Sequence, residues 1–554
     1  MNKSKMGTLL TVGLAGSVVL SACSSGSNGS TTSDGNKKVI NLIENQDIPK
    51  YDTAKADDQV SFEVSNNTHE GLYTLDSKDT PILAGAASEP EVKDGGKTWV
   101  IKLRDDAKWS NGEPVTANDY VFGWRRAMDK DTKSQYNFMF TVANILNADK
   151  ILDPKDKMYN KLDQLGIKAI NDKTLEIKFS KPAKSLPYLK SLLAFPTLFP
   201  QNEKFVKEKG EKFGLEPENQ LYNGPYKMTK WKHGAGWTLE KNDKYWDKKN
   251  VKIDQINTIV NGASATKINL FETGKLDRTA VPAEYIDKYK TQTDKFKTIP
   301  ESTVFFLRFN QTKNKALANK NIRRAIDMGW DKKQLSEKVL KDGSVPAYFL
   351  VPTKLAKGPD GKDFRDDVGN LNVGDNKKAQ DFWKKGLKEI GKDKVTIELL
   401  NTDSDGAKRD SQFLKDQLEQ NLPGLTVNIK QTTFKQKLEI ETKMDYDMSY
   451  SGWGPDYPDP MTFLDMFVTG NPHNEMGYSN KKYDEMIKKA VAETDVKKRW
   501  KIMQDAEKLL ITDDVAVGGI YQRSTGWVTN PKLTGVTKHN FGGDYSYKYW
   551  DLEK

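Results

Sequence analysis

Lys108-Trp109-Ser110-Asn111-Gly112-Glu113-Pro114-Val115-Thr116-Ala117, with Asp119 and then Trp124-Arg125, is the stretch on which the reading of this 554-residue chain turns. Its first five residues read as a strand end leading into an Asn-Gly turn. Thr116 or Asn118 then caps a helix over 118–128, in which Val121, Phe122, Trp124 and Arg125 crowd adjacent faces.

The flanks of this stretch are extended. Trp99, Ile101 and Leu103 alternate with Val100, Lys102 and Arg104, and Leu175, Ile177 and Phe179 alternate with Glu176 and Lys178. That period predicts two half-buried strands. Farther on, Asp375 or Asn376 caps a helix whose apolar positions Ala379, Phe382, Trp383, Leu387 and Ile390 fall at helical spacing, and Gly391 ends it. A strand over 395–400, a helix around 412–420 and a strand over 425–429 follow, which is an α/β unit. There are no internal repeats.

The chain's only cysteine, Cys23, follows Leu20-Ser21-Ala22 at the end of an uncharged run from Met6, with Lys3 and Lys5 before it. The run is too short and too rich in Gly, Ser and Thr for a stable membrane span and reads as a cleaved export signal over 1–22. The residues before Cys23 resemble the lipobox of bacterial lipoproteins, which implies cleavage before Cys23 and acylation of its thiol. Two acyl chains give a lasting anchor, because each buried methylene contributes about 0.8 kcal/mol. Residues 24–37 are small and polar without apolar periodicity, a tether behind the anchor at 23.

Roughly 515 residues remain, room for two or three domains with large cores. With no second cysteine, disulfides, thiol catalysis and Cys-based metal sites are excluded from the folded body. The formal charge of +10 is spread over lysines scattered among 77 acids, which suits a solvated surface near a polyanionic wall better than a nucleic-acid groove. No nucleic-acid-binding motif is present. The 12 Trp and 21 Tyr exceed what a core alone asks for and suit a cleft where one end of the ring stays wet.

The opening stretch is similar to the signature of the peptide/nickel, family 5, extracytoplasmic solute-binding proteins. So are Glu70-Gly71-Leu72, Asn223-Gly224-Pro225-Tyr226, Asn242 with Tyr245-Trp246, and Asn321-Ile322-Arg323-Arg324-Ala325-Ile326, in the right order from about 41 to near the C-terminus. Within the family the chain resembles the oligopeptide-binding lipoproteins of Gram-positive bacteria. The resemblance implies an α/β, two-lobed periplasmic-binding-protein-like fold (cluster C, type II) with an extra domain inserted in the first lobe. The first lobe comprises 38–72, 194–305 and 524–554, the inserted domain 73–193, and the second lobe 306–523. It further implies a monomeric, cofactor-free binding protein on the outer face of the cytoplasmic membrane, passing oligopeptides to the permease subunits of an ABC importer.

Ser451-Gly452-Trp453-Gly454-Pro455-Asp456-Tyr457 matches the family motif in which an acid three residues after a tryptophan receives the ligand's α-ammonium, a role that falls on Asp456. All peptides share their main chain and termini, so a sequence-tolerant binder needs strand-like backbone bonds and one charge anchor. The backbone of Tyr450, Ser451, Gly452 and Trp453 is the expected ladder. Trp453 packs either beside the bound main chain or in the core. The ligand's other side falls to 59–62, with Val60 and Ser61 as the pairing residues. Asn223 belongs to a loop near the lobe junction or is a turn residue, and Tyr136 and Phe138 face either the cleft or the core. Some enterobacterial relatives carry arginine and cysteine where this chain has Tyr450 and Gly454, a departure that loosens selection of peptide length.

Taken without the resemblance, Asp456 and Asp459 are equally well turn acids, since Gly-Pro-Asp and Tyr-Pro-Asp-Pro form turns in any protein. A secreted glycoside hydrolase, with these two acids across a cleft, is the rival from another class. A serine hydrolase lacks a Gly-x-Ser-x-Gly elbow, and His69, His233, His473 and His539 have no recognisable triad neighbour in sequence. No His pair has zinc spacing, and the Asp-rich turns at 358–361 and 403–406 lack the terminal Glu of a calcium loop. A signalling-peptide receptor on the same fold is the third reading.

Overall fold

The alternating stretches pair with each other. In the computed structural model, which describes residues 37–553, Thr98–Lys102 and Thr174–Lys178 are the inner strands of a four-stranded antiparallel sheet completed by Glu91–Lys93 and Ile167–Asn171. Trp99 lies opposite Ile177 and Ile101 opposite Leu175, all on the buried face. The helix runs Ala117–Met128 and is capped by Thr116, whose N–H donates to Asp119 Oδ2 at 2.8 Å while its hydroxyl accepts from the Asp119 N–H. Trp109 Nε1 donates to the same Asp119 carboxylate at 3.1 Å, and Trp124 Nε1 donates to the Leu198 carbonyl at 2.8 Å. The signature residues therefore fasten turn, cap and helix together.

A second sheet orders Val39–Glu44, Gln255–Val260, Gly236–Lys241 and Tyr226–Lys232, so it joins chain from before and after the segment just described. The third and largest has seven strands. Arg278–Ala280 pairs Val517–Thr529, which pairs Phe296–Phe309, then Met448–Trp453, Val395–Thr402 and Leu425–Thr432, with Val345–Pro346 on Val517–Thr529. The predicted α/β unit lies here: Val395–Thr402 and Leu425–Thr432 are parallel, joined by the helix Asp405–Asn421. The helix Asn376–Ile390 has Asp375 as its cap and Gly391 at φ 65° as its end, and it buries Ala379, Trp383 and Gly386. The α/β class is as the sequence implies.

The two long strands Phe296–Phe309 and Val517–Thr529 lose register between Pro300 and Val304 and again between Phe305 and Phe306. Pro300 has no N–H to give the ladder. Glu301 occupies the break, accepting from Arg523 Nε at 2.7 Å and Thr525 Oγ1 at 2.6 Å, with Lys538 Nζ 3.4 Å away. Burial pushes its carboxyl up, but Arg523 and Lys538 outweigh that and hold it at about 2.

The expectation for 59–62 fails. Gln59–Thr68 is a helix, so Val60 and Ser61 are helical and offer no strand to a ligand. Asp58 caps it, accepting from the Ser61 N–H at 3.0 Å and the Ser61 hydroxyl at 2.5 Å, which satisfies the donors a strand would have left free. The extended residue is Asp58 itself, at φ −144° and ψ 158°. Among the described residues no helix is long and apolar enough to cross a membrane, and no cluster of His, Cys, Asp and Glu is placed to hold a metal. The signal over 1–22 and Cys23 lie outside the described residues.

Candidate functional site

Met448–Trp453 pairs along its whole length with Phe296–Phe309 on one edge, from Met448 opposite Phe309 to Trp453 opposite Val304. On the other edge Val395–Thr402 reaches only Met448 and Ser449. Residues 450–453 thus present an edge that no strand of the described residues covers, and an uncovered edge is a template for an added strand. The side chains alternate as a strand requires. Ser449 and Ser451 both donate to Glu441 Oε1 at 2.6 Å, and Tyr450 points the other way toward Phe305. A Cβ on Gly452 would stand 2.9 Å from the Phe305 ring, so glycine keeps the strand seated there. Glu441 is raised by burial, yet Lys437 and Arg308 prevail and hold it at about 2.

Beyond the strand the chain turns through Pro455, and Asp456 is 4 % exposed. Tyr136 Oη donates to its Oδ1 at 3.2 Å, its N–H donates to Thr462 Oγ1 at 3.0 Å, and Thr462 Oγ1 is 3.4 Å from Oδ2. No basic side chain of the described residues pairs with it. Burial raises its carboxyl well above the usual carboxylate range, and the neighbouring Asp465 adds to the rise against the two hydroxyls. Asp465 is itself pushed up to about 7 by burial. Asp456 borders a small cavity of about 20 Å³ whose wall includes Asn66, His69, Glu70, Phe195 and His539.

An aromatic cluster surrounds the acid. Tyr136 lies parallel to Trp453 at 6.3 Å and to Phe195 at 5.4 Å, and meets Phe62 edge-on at 4.9 Å. Phe138 lies 5.4 Å from Tyr136. The sequence left these rings open between cleft and core; Tyr136 is buried and its hydroxyl reaches the acid. His473 packs on Trp453 at 4.8 Å and on Tyr136 at 5.0 Å. Thr462, Asp465 and His473 were not singled out from sequence. A helix-start position after Pro460 is a weak signal for Thr462, and none existed for His473.

Asn223 accepts from the Glu70 N–H at 3.1 Å and donates to the Glu70 carbonyl at 2.9 Å, so both ends of its amide fasten the Glu70 segment. Asp459 is gripped on both oxygens by Arg499, at 2.7 and 2.8 Å, and takes the Met461 N–H at 2.9 Å. A carboxylate tied in that way is a structural turn acid, so the opposed pair a glycoside hydrolase needs is not formed by Asp456 and Asp459. His539 has neighbours that sequence could not show: Asp79 Oδ1 lies 2.7 Å from Nδ1 and Ser546 Oγ 2.8 Å from Nε2. Asn540 also donates to Asp79, so the network ties the turn between Tyr73–Leu75 and Pro81–Leu83 to the C-terminal loop.

Residues 80–475 match the model of the bacterial extracellular solute-binding proteins, family 5. The dipeptide-binding protein of Lactococcus lactis is 33 % identical, over 99 % of this chain and 99 % of that protein. Listeria monocytogenes OppA bound to peptide superposes with a TM-score of 0.89 at 46 % identity, covering 94 % of this chain and 100 % of that one. The pheromone receptor PrgZ superposes with a TM-score of 0.87 at 37 % identity, covering 94 % and 100 %. The chain belongs to the bacterial extracellular solute-binding proteins of family 5.

Proposed function

We propose that this chain captures oligopeptides between two lobes, as an added strand along 450–453 with the α-ammonium on Asp456, and hands them to an ABC importer. The observation that carries this is a buried carboxylate with no cation among the described residues, at the end of an uncovered strand edge. A carboxylate in that position is costly until a ligand brings the missing charge. Relatives named for dipeptide and oligopeptide binding support the ligand class. The start of the helix Gln59–Thr68 supplies the opposite wall, because the Gln59 side chain stands near Gly454.

In this reading 38–72, 194–305 and 524–554 make the first lobe, 73–193 the inserted domain and 306–523 the second lobe. The long strands Phe296–Phe309 and Val517–Thr529 cross between the lobes. Closure should therefore follow the ligand's charge, since an empty closed cleft buries Asp456 uncompensated. Small-angle scattering is expected to show a smaller radius of gyration with saturating peptide than without. Unchanged scattering would remove the two-lobe hinge.

Acylated Cys23 anchors the protein to the outer face of the cytoplasmic membrane. Cys23→Ser is expected to release it from membranes without altering its thermal unfolding, since the residue lies ahead of a polar tether. Fatty-acid labelling with cell fractionation reads this, and equal retention of mutant and parent would refute the anchor. Likeness to a pheromone receptor favours a second reading, in which one signalling peptide is the physiological ligand. Growth on a defined peptide mixture with and without the gene, set beside binding of candidate pheromones, separates the two.

A further inference from the structure

Asp79, His539 and Ser546 stand in line. Asp79 Oδ1 lies 2.7 Å from His539 Nδ1, and Ser546 Oγ lies 2.8 Å from Nε2 of the same ring. A carboxylate oxygen only accepts, so Nδ1 carries a proton, and Nε2 of the neutral ring is left to accept from the Ser546 hydroxyl. The carboxylate is steadied by Asn540, whose Nδ2 and main-chain N–H donate to its Oδ2 at 2.6 and 3.2 Å. These are the spacings of an orienting acid, a base and a nucleophile. Such a constellation is recognised by geometry and recurs on unrelated frameworks, so it needs no Gly-x-Ser-x-Gly elbow.

A structural tie between the two segments would not by itself produce what surrounds it. Ser546 holds the N-cap place before the short helix Tyr547–Tyr549, where a serine hydroxyl ordinarily accepts from the helix N–H groups. Here it makes no capping bond: Asn67 Oδ1 takes the Tyr547 N–H at 2.8 Å, and the hydroxyl is turned to His539 instead. Both His539 and Ser546 also line the cavity that Asp456 borders, together with Asn66, Phe195 and Phe199. Asn66 has its amide oxygen buried without a partner, so its Nδ2 is the side-chain donor on that wall available to a developing oxyanion.

We propose that Asp79, His539 and Ser546 hydrolyse neutral carboxylic esters of short acyl chains. Ser546 Oγ adds to the ester carbonyl carbon as its proton passes to His539 Nε2; the bond to the alcohol oxygen breaks, and the alcohol leaves with that proton. Water then adds to the acyl-serine while His539 takes one of its protons. The bond from Oγ to the acyl carbon breaks, the proton returns to Oγ, and the carboxylic acid departs. Asp79 keeps its charge and orients the ring through both halves. With one side-chain donor for the oxyanion, the site suits an ester, whose leaving group needs less help than an amide nitrogen. Phe195 and Phe199 suit an apolar acyl chain, and the acids Glu70 and Asp456 on the same wall disfavour an anionic one. The space of about 20 Å³ holds about one water, so an ester enters only when the walls part, and access rests on the hinge proposed above.

The test uses the full mature chain freed of bound peptide, a fluorophosphonate as covalent probe and p-nitrophenyl butyrate as substrate. Mass spectrometry of the digested protein is expected to place the phosphonyl adduct on Ser546, and Ser546→Ala is expected to hydrolyse the ester no faster than buffer. His539→Gln is expected to slow labelling of Ser546 about a hundredfold or more, because the nucleophile loses its base. Hydrolysis undiminished in Ser546→Ala, or labelling undiminished in His539→Gln, overturns the inference. So does a wild type without an adduct on Ser546. If its scattering still changes with peptide, the triad alone falls; if the scattering is also unchanged, the hinge falls with it. Should either variant fail to fold, the position of the adduct in the wild type decides.

Discussion

Replacing Asp456 with asparagine is expected to weaken binding of peptides bearing a free α-amine by about 3 to 5 kcal/mol, and to leave their N-acetylated forms far less affected. The cost is that of leaving a desolvated ammonium against Tyr136 and Thr462 with no counter-charge. Acetylation removes the ammonium beforehand, so the two changes fail to add. Calorimetry on the four combinations of protein and peptide measures the coupling, and simple summation would mean that the amine is held elsewhere. A pH dependence accompanies it. Burial and Asp465 raise the empty Asp456 well above its ordinary value, whereas a bound ammonium favours the carboxylate and lowers it. Binding then expels a proton, and affinity rises with pH between the two values until the ligand's amine itself deprotonates near about 8.

The second large effect is on stability, away from the cleft. Glu507 is fully buried in the helix Val496–Lys508, accepting from the Leu350 and Val351 N–H groups at 3.0 and 2.8 Å and pairing with Arg365. Glu507→Ala is expected to cost about 3 to 5 kcal/mol, because the Arg365 guanidinium and two backbone donors are left unpaired together. For one cooperative unit as large as Lys38–Lys554 that corresponds to a fall in Tm of about 4 °C. Peptide affinity below the transition should stay within a few-fold of the parent, since Glu507 touches nothing at the Asp456 site. A Tm within about one degree of the parent would show that Arg365 finds another partner.

What was legible in the sequence had a local signature. The cap, which falls on Thr116 of the two candidates, the alternation at 99–103 and 175–179, and the helix capped by Asp375 and ended by Gly391 are short-range patterns that the structure carries. The pairing segment at 59–62 followed from the resemblance and not from a local pattern, and the helix Gln59–Thr68 there buries Phe62 and Val64 together with the small polar residues Ser61, Ser65 and Thr68. The site was half legible. Asp456 and the strand before it lie within one motif, but Tyr136 is 320 residues from the acid it bonds, and His473 reaches the cluster from a turn with no pattern of its own. Asn223 stands in a conspicuous motif, but the 153-residue link that its amide makes to the Glu70 backbone had no local signature.

Mass spectrometry of what co-purifies with the protein tests the central claim most directly. The expected result is a heterogeneous set of peptides with free amino termini, displaced by added peptide and absent from the Asp456→Asn protein. A glycan, a single non-peptide solute, or peptides that persist unchanged in Asp456→Asn would contradict it.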